Sequence, residues 1–170
     1  ALYHMMRGKV SIEKIPAVKP VLEQAGVSVL PRANVAVLVG TALDPSKSRR
    51  PVNMPGITIN TFWGEMAAQL AESAGKPGLY DYVKEADRKG VSPGSGALIS
   101  LFDAAGPSVV LMDEIVAYAK KLYGAQGLPA GTFDNFITFI QEVTEAARSS
   151  KNSLVVASIP ESDIEIGGEA

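Results

Sequence analysis

The sequence predicts an α/β fold: a three-layer arrangement in which helices flank a parallel sheet, within one domain of 170 residues. Three observations predict it. Apolar runs at Val35–Val39, Val109–Met112 and Leu154–Ala157 are continuous rather than alternating, as in strands buried on both faces. The segments between them repeat their apolar residues at intervals of three and four, the spacing of one helix face. Strand, helix and strand in succession then imply parallel pairing through right-handed crossovers.

Taken in order, residues 1–7 read as the last turns of a helix, with Ala1, Leu2, Met5 and Met6 on one face and Gly8 as the stop. A helix over 17–25 carries Val18, Val21, Leu22 and Ala25 and stops at Gly26. The first strand, 35–39, ends at Gly40. Residues 41–57 contain Pro45, Pro51, Pro55 and Gly56 and read as loop. A helical insertion at about 58–106 follows. Its first segment, 61–74, stacks Phe62, Met66 and Leu70, with Trp63 and Ala67 beside them. The second, 79–89, turns Leu79, Tyr82, Val83 and Ala86 inward. The third, 96–105, does so with Leu98, Leu101, Phe102 and Ala105, after the linker Gly94-Ser95-Gly96. Gly106-Pro107 breaks that helix and launches the second strand. A helix over 114–123, apolar at Ile115, Val116, Ala119 and Leu122, ends at Gly124. After the loop Gly127–Gly131, Thr132 is a predicted N-cap, and Asp134 in the first turn suits the helix dipole. That helix reaches 149 with the stripe Phe133, Phe136, Ile137, Ile140, Val143 and Ala147. The third strand, predicted to be buried, leads into a tail rich in Glu and Gly.

Composition narrows the function classes. With 46% apolar and 20% charged residues the chain can bury a core. A net charge of −2 and a pI near 5.5 do not indicate nucleic-acid binding, which leaves a basic stripe or patch. The basic cluster Lys47-Ser48-Arg49-Arg50 sits in a Pro-bounded loop and reads as solvated; Arg49 and Arg50 as a charge-stabilising finger toward a neighbour is the sharper alternative. Zero cysteines exclude disulfides and thiolate metal sites and agree with a cytoplasmic location. No apolar run has the length of a membrane span, so no membrane partner is expected. His4, the single histidine, lacks the partners of a metal site. No G-x-S-x-G elbow supports a serine hydrolase.

The chemistry concentrates where the second strand ends. Val109-Val110-Leu111-Met112-Asp113-Glu114 has the form of a Walker B strand, with a helix after it. At the carboxyl ends of parallel strands, where open α/β sheets bind ligands, Asp113 is suited to hold Mg²⁺ and Glu114 to polarise an attacking water. Acidic residues also favour a helix N-terminus through the dipole alone. The preceding strand, the long helical insertion and the third strand ending in a small polar residue favour the catalytic reading. Ser158, at the end of that third strand, occupies the place of a γ-phosphate sensor, with Ser162 a looser alternative and an ordinary serine before Pro160 the plain one. No segment fits G-x-x-x-x-G-K-[ST], the loop that cradles phosphates. The chain carries half of a nucleotide site.

The stretch Thr61-Phe62-Trp63-Gly64-Glu65-Met66-Ala67-Ala68-Gln69-Leu70 resembles a signature of a family of large AAA-type ATPases from bacteria and archaea. So do Val110–Tyr118 and Val155–Ser162. Members are often catalogued as a domain of unknown function, and some are encoded beside DNA methylases in apparent anti-phage loci. The resemblance runs from Ala1 to about Gly168, and Trp63-Gly64-Glu65 is its most distinctive part. It implies a phosphate-binding loop just before Ala1, so that the chain reads as a partial P-loop core lacking its first strand. It also implies the strand order 35–39, 109–112, 154–157, with the missing strand beyond the third. The expected function is that of an ATP-hydrolysing AAA-type domain using ATP and Mg²⁺ in the intact parent. The fragment alone is expected to bind ATP weakly or not at all and to be inactive. It is expected to pair as a homodimer through the open edge at 154–157. The alternative is a non-catalytic interaction domain with an ATPase-like sheet.

Overall fold

The computed structural model describes residue 8, residues 15–28 and residues 32–159. The helix predicted at 1–7, His4 and Ser162 lie outside these residues. Strands β1 (Asn34–Val39), β2 (Ser108–Asp113) and β3 (Ser153–Ala157) form a parallel sheet in the order β1-β2-β3. The helices are α1 (Lys19–Gln24), α2 (Phe62–Ala74), α3 (Lys84–Lys89), α4 (Ser95–Ala105), α5 (Ile115–Leu122) and α6 (Phe133–Ser149). A 3₁₀ turn, Pro77–Tyr82, precedes α3.

Register divides the sheet into two faces. Val35, Val109 and Leu154 lie abreast, as do Val37, Leu111 and Val156, and alternation puts them on one side. The other side, with Ala36, Leu38, Val110 and Met112, joins the main core beside Phe62, Met66 and Leu70 of α2, Leu98 and Phe102 of α4 and Phe139 of α6. Phe62 is central to that core, with ring centroids 4.9 Å from Tyr118 and 5.2 Å from Phe136. Trp63 packs 5.5 Å from Phe139. On the first side, Val35 and Val109 form a smaller buried pair against Ala33, Val37 and Leu111.

Both outer strands differ from simple burial. The third strand was expected to be buried, yet Leu154 is 52% and Val156 43% exposed. An apolar run records how hydrophobic a strand is; its position in the sheet decides what covers it. Among the described residues β3 pairs with β2 alone. At the opposite edge, helix α2 supplies acceptors to β1: the Val35 N–H donates to Ser73 Oγ at 3.0 Å and the Val37 N–H to Gln69 Oε1 at 2.7 Å. That edge is thereby blocked to another strand.

Three helical expectations are corrected. The segment 79–89 is broken at Val83, because Pro77-Gly78 starts a tighter 3₁₀ turn. That phase turns Tyr80 inward and leaves Tyr82 exposed. It also buries Asp87 completely. In α6 the buried stripe is Phe136, Phe139, Val143 and Ala146, while Ile137 is exposed. In α1 only Leu22 is buried and Val21 faces outward. The N-cap expected at Thr132 is present, its hydroxyl accepting from the Asn135 N–H at 3.2 Å.

Asp87 explains the glycine of the Trp63-Gly64-Glu65 signature. Its carboxylate accepts from the Thr61 N–H at 2.8 Å, the Thr61 hydroxyl at 2.6 Å, the Asn60 N–H at 3.2 Å and the Tyr80 hydroxyl. Burial and then the Asp87 hydrogen bond push the Tyr80 phenol well above its ordinary range. Thr61 in turn caps α2 by accepting from the Gly64 N–H at 3.0 Å. Gly64 must be glycine, since a Cβ there would lie 2.0 Å from Asp87 Oδ1.

Candidate functional site

Asp113, Glu114 and Ser158 converge at the carboxyl ends of β2 and β3. The Ser158 N–H continues the ladder onto the Met112 carbonyl at 2.9 Å, which brings its side chain over β2. Its hydroxyl donates to Asp113 Oδ1. The Glu114 N–H lies between the two, 3.0 Å from Asp113 Oδ1 and 3.2 Å from Ser158 Oγ. All three side chains are on the exposed rim of the sheet.

Glu114 has an unusual backbone. At φ 53° and ψ 37° it is left-handed, alone in this among the described non-glycine residues. Such a conformation costs an L residue roughly 1–2 kcal/mol. The turn lets β2 pass directly into α5 while Glu114 stays outside the helix. Gly40, at the end of β1, makes room for it: a Cβ there would lie 2.1 Å from the Glu114 carbonyl oxygen. The Gly40 N–H donates to the Asp113 carbonyl at 2.8 Å, and the Thr41 hydroxyl donates to Glu114 Oε2.

Gly40, Thr41 and Lys121 were missed by the sequence reading. The available signal was a glycine followed by a hydroxyl residue directly after an apolar strand. Lys121, two turns along α5 from Glu114, donates to the carbonyls of Gly40 at 3.0 Å, Thr41 at 2.8 Å and Leu43 at 2.7 Å.

The Arg49 reading changes in part. Arg49 is solvent-exposed, as the loop reading expects, and it is also tethered: its guanidinium makes a two-pronged pair with Glu65, at 2.8 and 3.0 Å. Glu65 is buried and also accepts from Gln69. The fork, together with the Arg49–Ile59 bridge, closes the 41–61 loop onto α2. Arg50 remains exposed. A groove of about 730 Å³ runs along the β1 edge past this pair, Gln69, Glu72 and Ser73. A smaller cavity of about 220 Å³ lies beneath the loop, reaching Asp44, Asn60 and Tyr118. Neither includes Asp113 or Ser158. Asp44 itself is held down to about 2 by the Ser46 hydroxyl and N–H and by Lys47, and burial pushes the Tyr118 phenol up.

Trp63-Gly64-Glu65, the strand ending in Asp113-Glu114 and the Ser158 strand thus form one framework. The family model of the DUF499 N-terminal domain matches residues 2–170. The chain belongs to the DUF499 N-terminal domain family. Comparison with curated proteins and with solved structures returns no significant match. Among the described residues of this DUF499 domain, no three His, Asp or Glu side chains gather as a metal cage. What a metal could meet at the strand ends is the Asp113 carboxylate, beside the Ser158 hydroxyl. No described helix is long and apolar enough to cross a membrane.

Proposed function

We propose that this DUF499 domain supplies the hydrolytic part of an AAA-type P-loop ATPase site, acting on ATP with Mg²⁺. The observation that carries the reading is the Asp113–Ser158 hydrogen bond between adjacent strand ends, with Glu114 fixed beside it. The residues fit the ion. Asp113 Oδ1 is engaged by Ser158 and the Glu114 N–H, and Oδ2 carries no bond among the described residues. Mg²⁺ keeps several waters and takes one or two carboxylates, so one open carboxylate oxygen is an adequate donor. Bound there, the ion would neutralise charge on the phosphates. Glu114 orients the water and accepts its proton through the carboxylate that Thr41 steadies. Ser158, on a strand end of its own, reports the γ-phosphate to β3. The phosphates themselves need the loop that the resemblance puts before Ala1.

The test is Mg-ATP turnover by the protein with the segment that precedes this domain. Glu114→Gln should keep ATP affinity within a few fold and lower turnover by about 10²–10⁴, the range of general-base catalysis. Asp113→Asn should weaken Mg²⁺-dependent binding. Wild-type turnover in both variants would remove these residues from the mechanism.

The open edge of β3 supports a second role, in association. Parity along the ladder leaves the N–H and C=O of Val155 pointing away from β2, flanked by half-exposed Leu154 and Val156. We propose that the isolated chain pairs there with a second copy as a homodimer. Light scattering of the chain alone decides it, since a monomer at high micromolar concentration excludes the pairing.

A further inference from the structure

A lysine ammonium has three N–H donors, and Lys121 directs all three to backbone carbonyls of one turn. No carboxylate among the described residues pairs with it. The group stands where a monovalent cation would stand in a carbonyl cage. The caged turn is not an arbitrary loop. Gly40 touches the Glu114 carbonyl, and Thr41 holds the Glu114 carboxylate. The only other described bonds that shape the turn are the Gly40 N–H to Asp113 and the Ala42 and Leu43 N–H groups to the Val39 carbonyl, at 3.0 and 3.2 Å. These fix its start. They leave the carbonyls of Gly40, Thr41 and Leu43 aimed at one point, where like dipoles repel unless a cation lies between them.

We infer that Lys121 is a positioning residue for Glu114: its ammonium gathers the 40–43 turn, and the turn presents Thr41 to the Glu114 carboxylate. The position of Lys121 on α5 matters. Glu114 sits at the head of that helix and Lys121 near its end, so helix and turn are clamped at both places and move as one body. The inference deepens the ATPase reading in its catalytic consequence, whereas its structural part stands independently.

The test uses Lys121→Ala with added propylammonium, which carries the carbons and N–H donors that the truncation removes. Hydrogen exchange is read at the Gly40, Ala42 and Leu43 amides of this chain. Exchange should rise at least tenfold in Lys121→Ala and return to within about threefold of wild type with millimolar propylammonium. Tetramethylammonium, which carries the charge and no N–H, should not restore it. Restoration by both ions would overturn the cage, as would unchanged exchange in the variant. Lys121→Arg should fail to restore protection, because a planar guanidinium has no single nitrogen with three N–H donors to spread over three carbonyls that converge on one point. In the ATP-hydrolysing protein, Lys121→Ala should lower kcat at least tenfold with KM within twofold. Combined with Thr41→Val it should lower kcat no further than the larger single effect, since both act through one contact. Additive losses, or an unchanged kcat, would break the link to Glu114 even with the cage intact. If wild type turns over no ATP while the exchange results hold, the ATPase reading falls and the cage survives.

Discussion

Replacing Gly64 by alanine tests the most distinctive part of the sequence with a single methyl group. The new Cβ would lie 2.0 Å from Asp87 Oδ1 and 2.5 Å from its Cγ, so the carboxylate must retreat by more than an ångström. It cannot do so freely. Asp87 is fully buried and accepts from the Thr61 N–H and hydroxyl, the Asn60 N–H and the Tyr80 hydroxyl. Hydrogen bonds to charged groups contribute about 1.5–3 kcal/mol each. Loss of two therefore costs about 3–6 kcal/mol, offset by about 1 kcal/mol for alanine over glycine within a helix. The expected net loss is about 2–5 kcal/mol, a large share of the 5–15 kcal/mol typical of a domain. Trp63, the single tryptophan, is buried one residue away and reports unfolding by its fluorescence. In urea the midpoint should fall while the slope stays constant. The same alanine should cost much less on an Asp87→Gly background, where no carboxylate stands in its way. A Gly64→Ala domain within 1 kcal/mol of wild type would show that Asp87 is not the reason for this glycine.

On a Thr41→Val background, where the Thr41–Glu114 hydrogen bond is already absent, Glu114→Gly relieves a left-handed strain of roughly 1–2 kcal/mol and gives up about 0.5–1 kcal/mol to the flexibility of the unfolded chain. Its stability in urea should therefore equal or slightly exceed that of the Thr41→Val parent, whereas Glu114→Val on the same background should lie below both; the reverse order would refute the strain. Asp44 sets a pH window. Its folded value, about 2, lies below the ordinary 3.8, so its contribution is complete above about pH 4 and is lost as the pH falls toward 2. The difference in urea midpoint between wild type and Asp44→Ala should be constant from neutral pH to about 4 and shrink below it, and a difference that grows in acid would reverse the assignment.

The sequence alone determined what depends on neighbours a few residues apart. Continuous apolar runs marked all three strands, and 3.6-residue spacing marked α2, α4, α5 and α6, because backbone geometry imposes those periods locally. Asp113-Glu114 at the end of an apolar run was legible for the same reason. The order β1-β2-β3 came from the family resemblance and is the order observed. Tertiary structure decided where charge goes. Within 79–89 the sequence turns Leu79, Tyr82, Val83 and Ala86 inward, without Asp87, yet Asp87 is enclosed, because Thr61, 26 residues earlier, brings it the donors a buried carboxylate needs. Thr41 meets Glu114 across 73 positions and Ser158 meets Asp113 across 45. Lys121 reaches Gly40 across 81. No period links such pairs. They meet because parallel crossovers return every strand end to the same rim of the sheet, and only the packed core fixes which side chains share it.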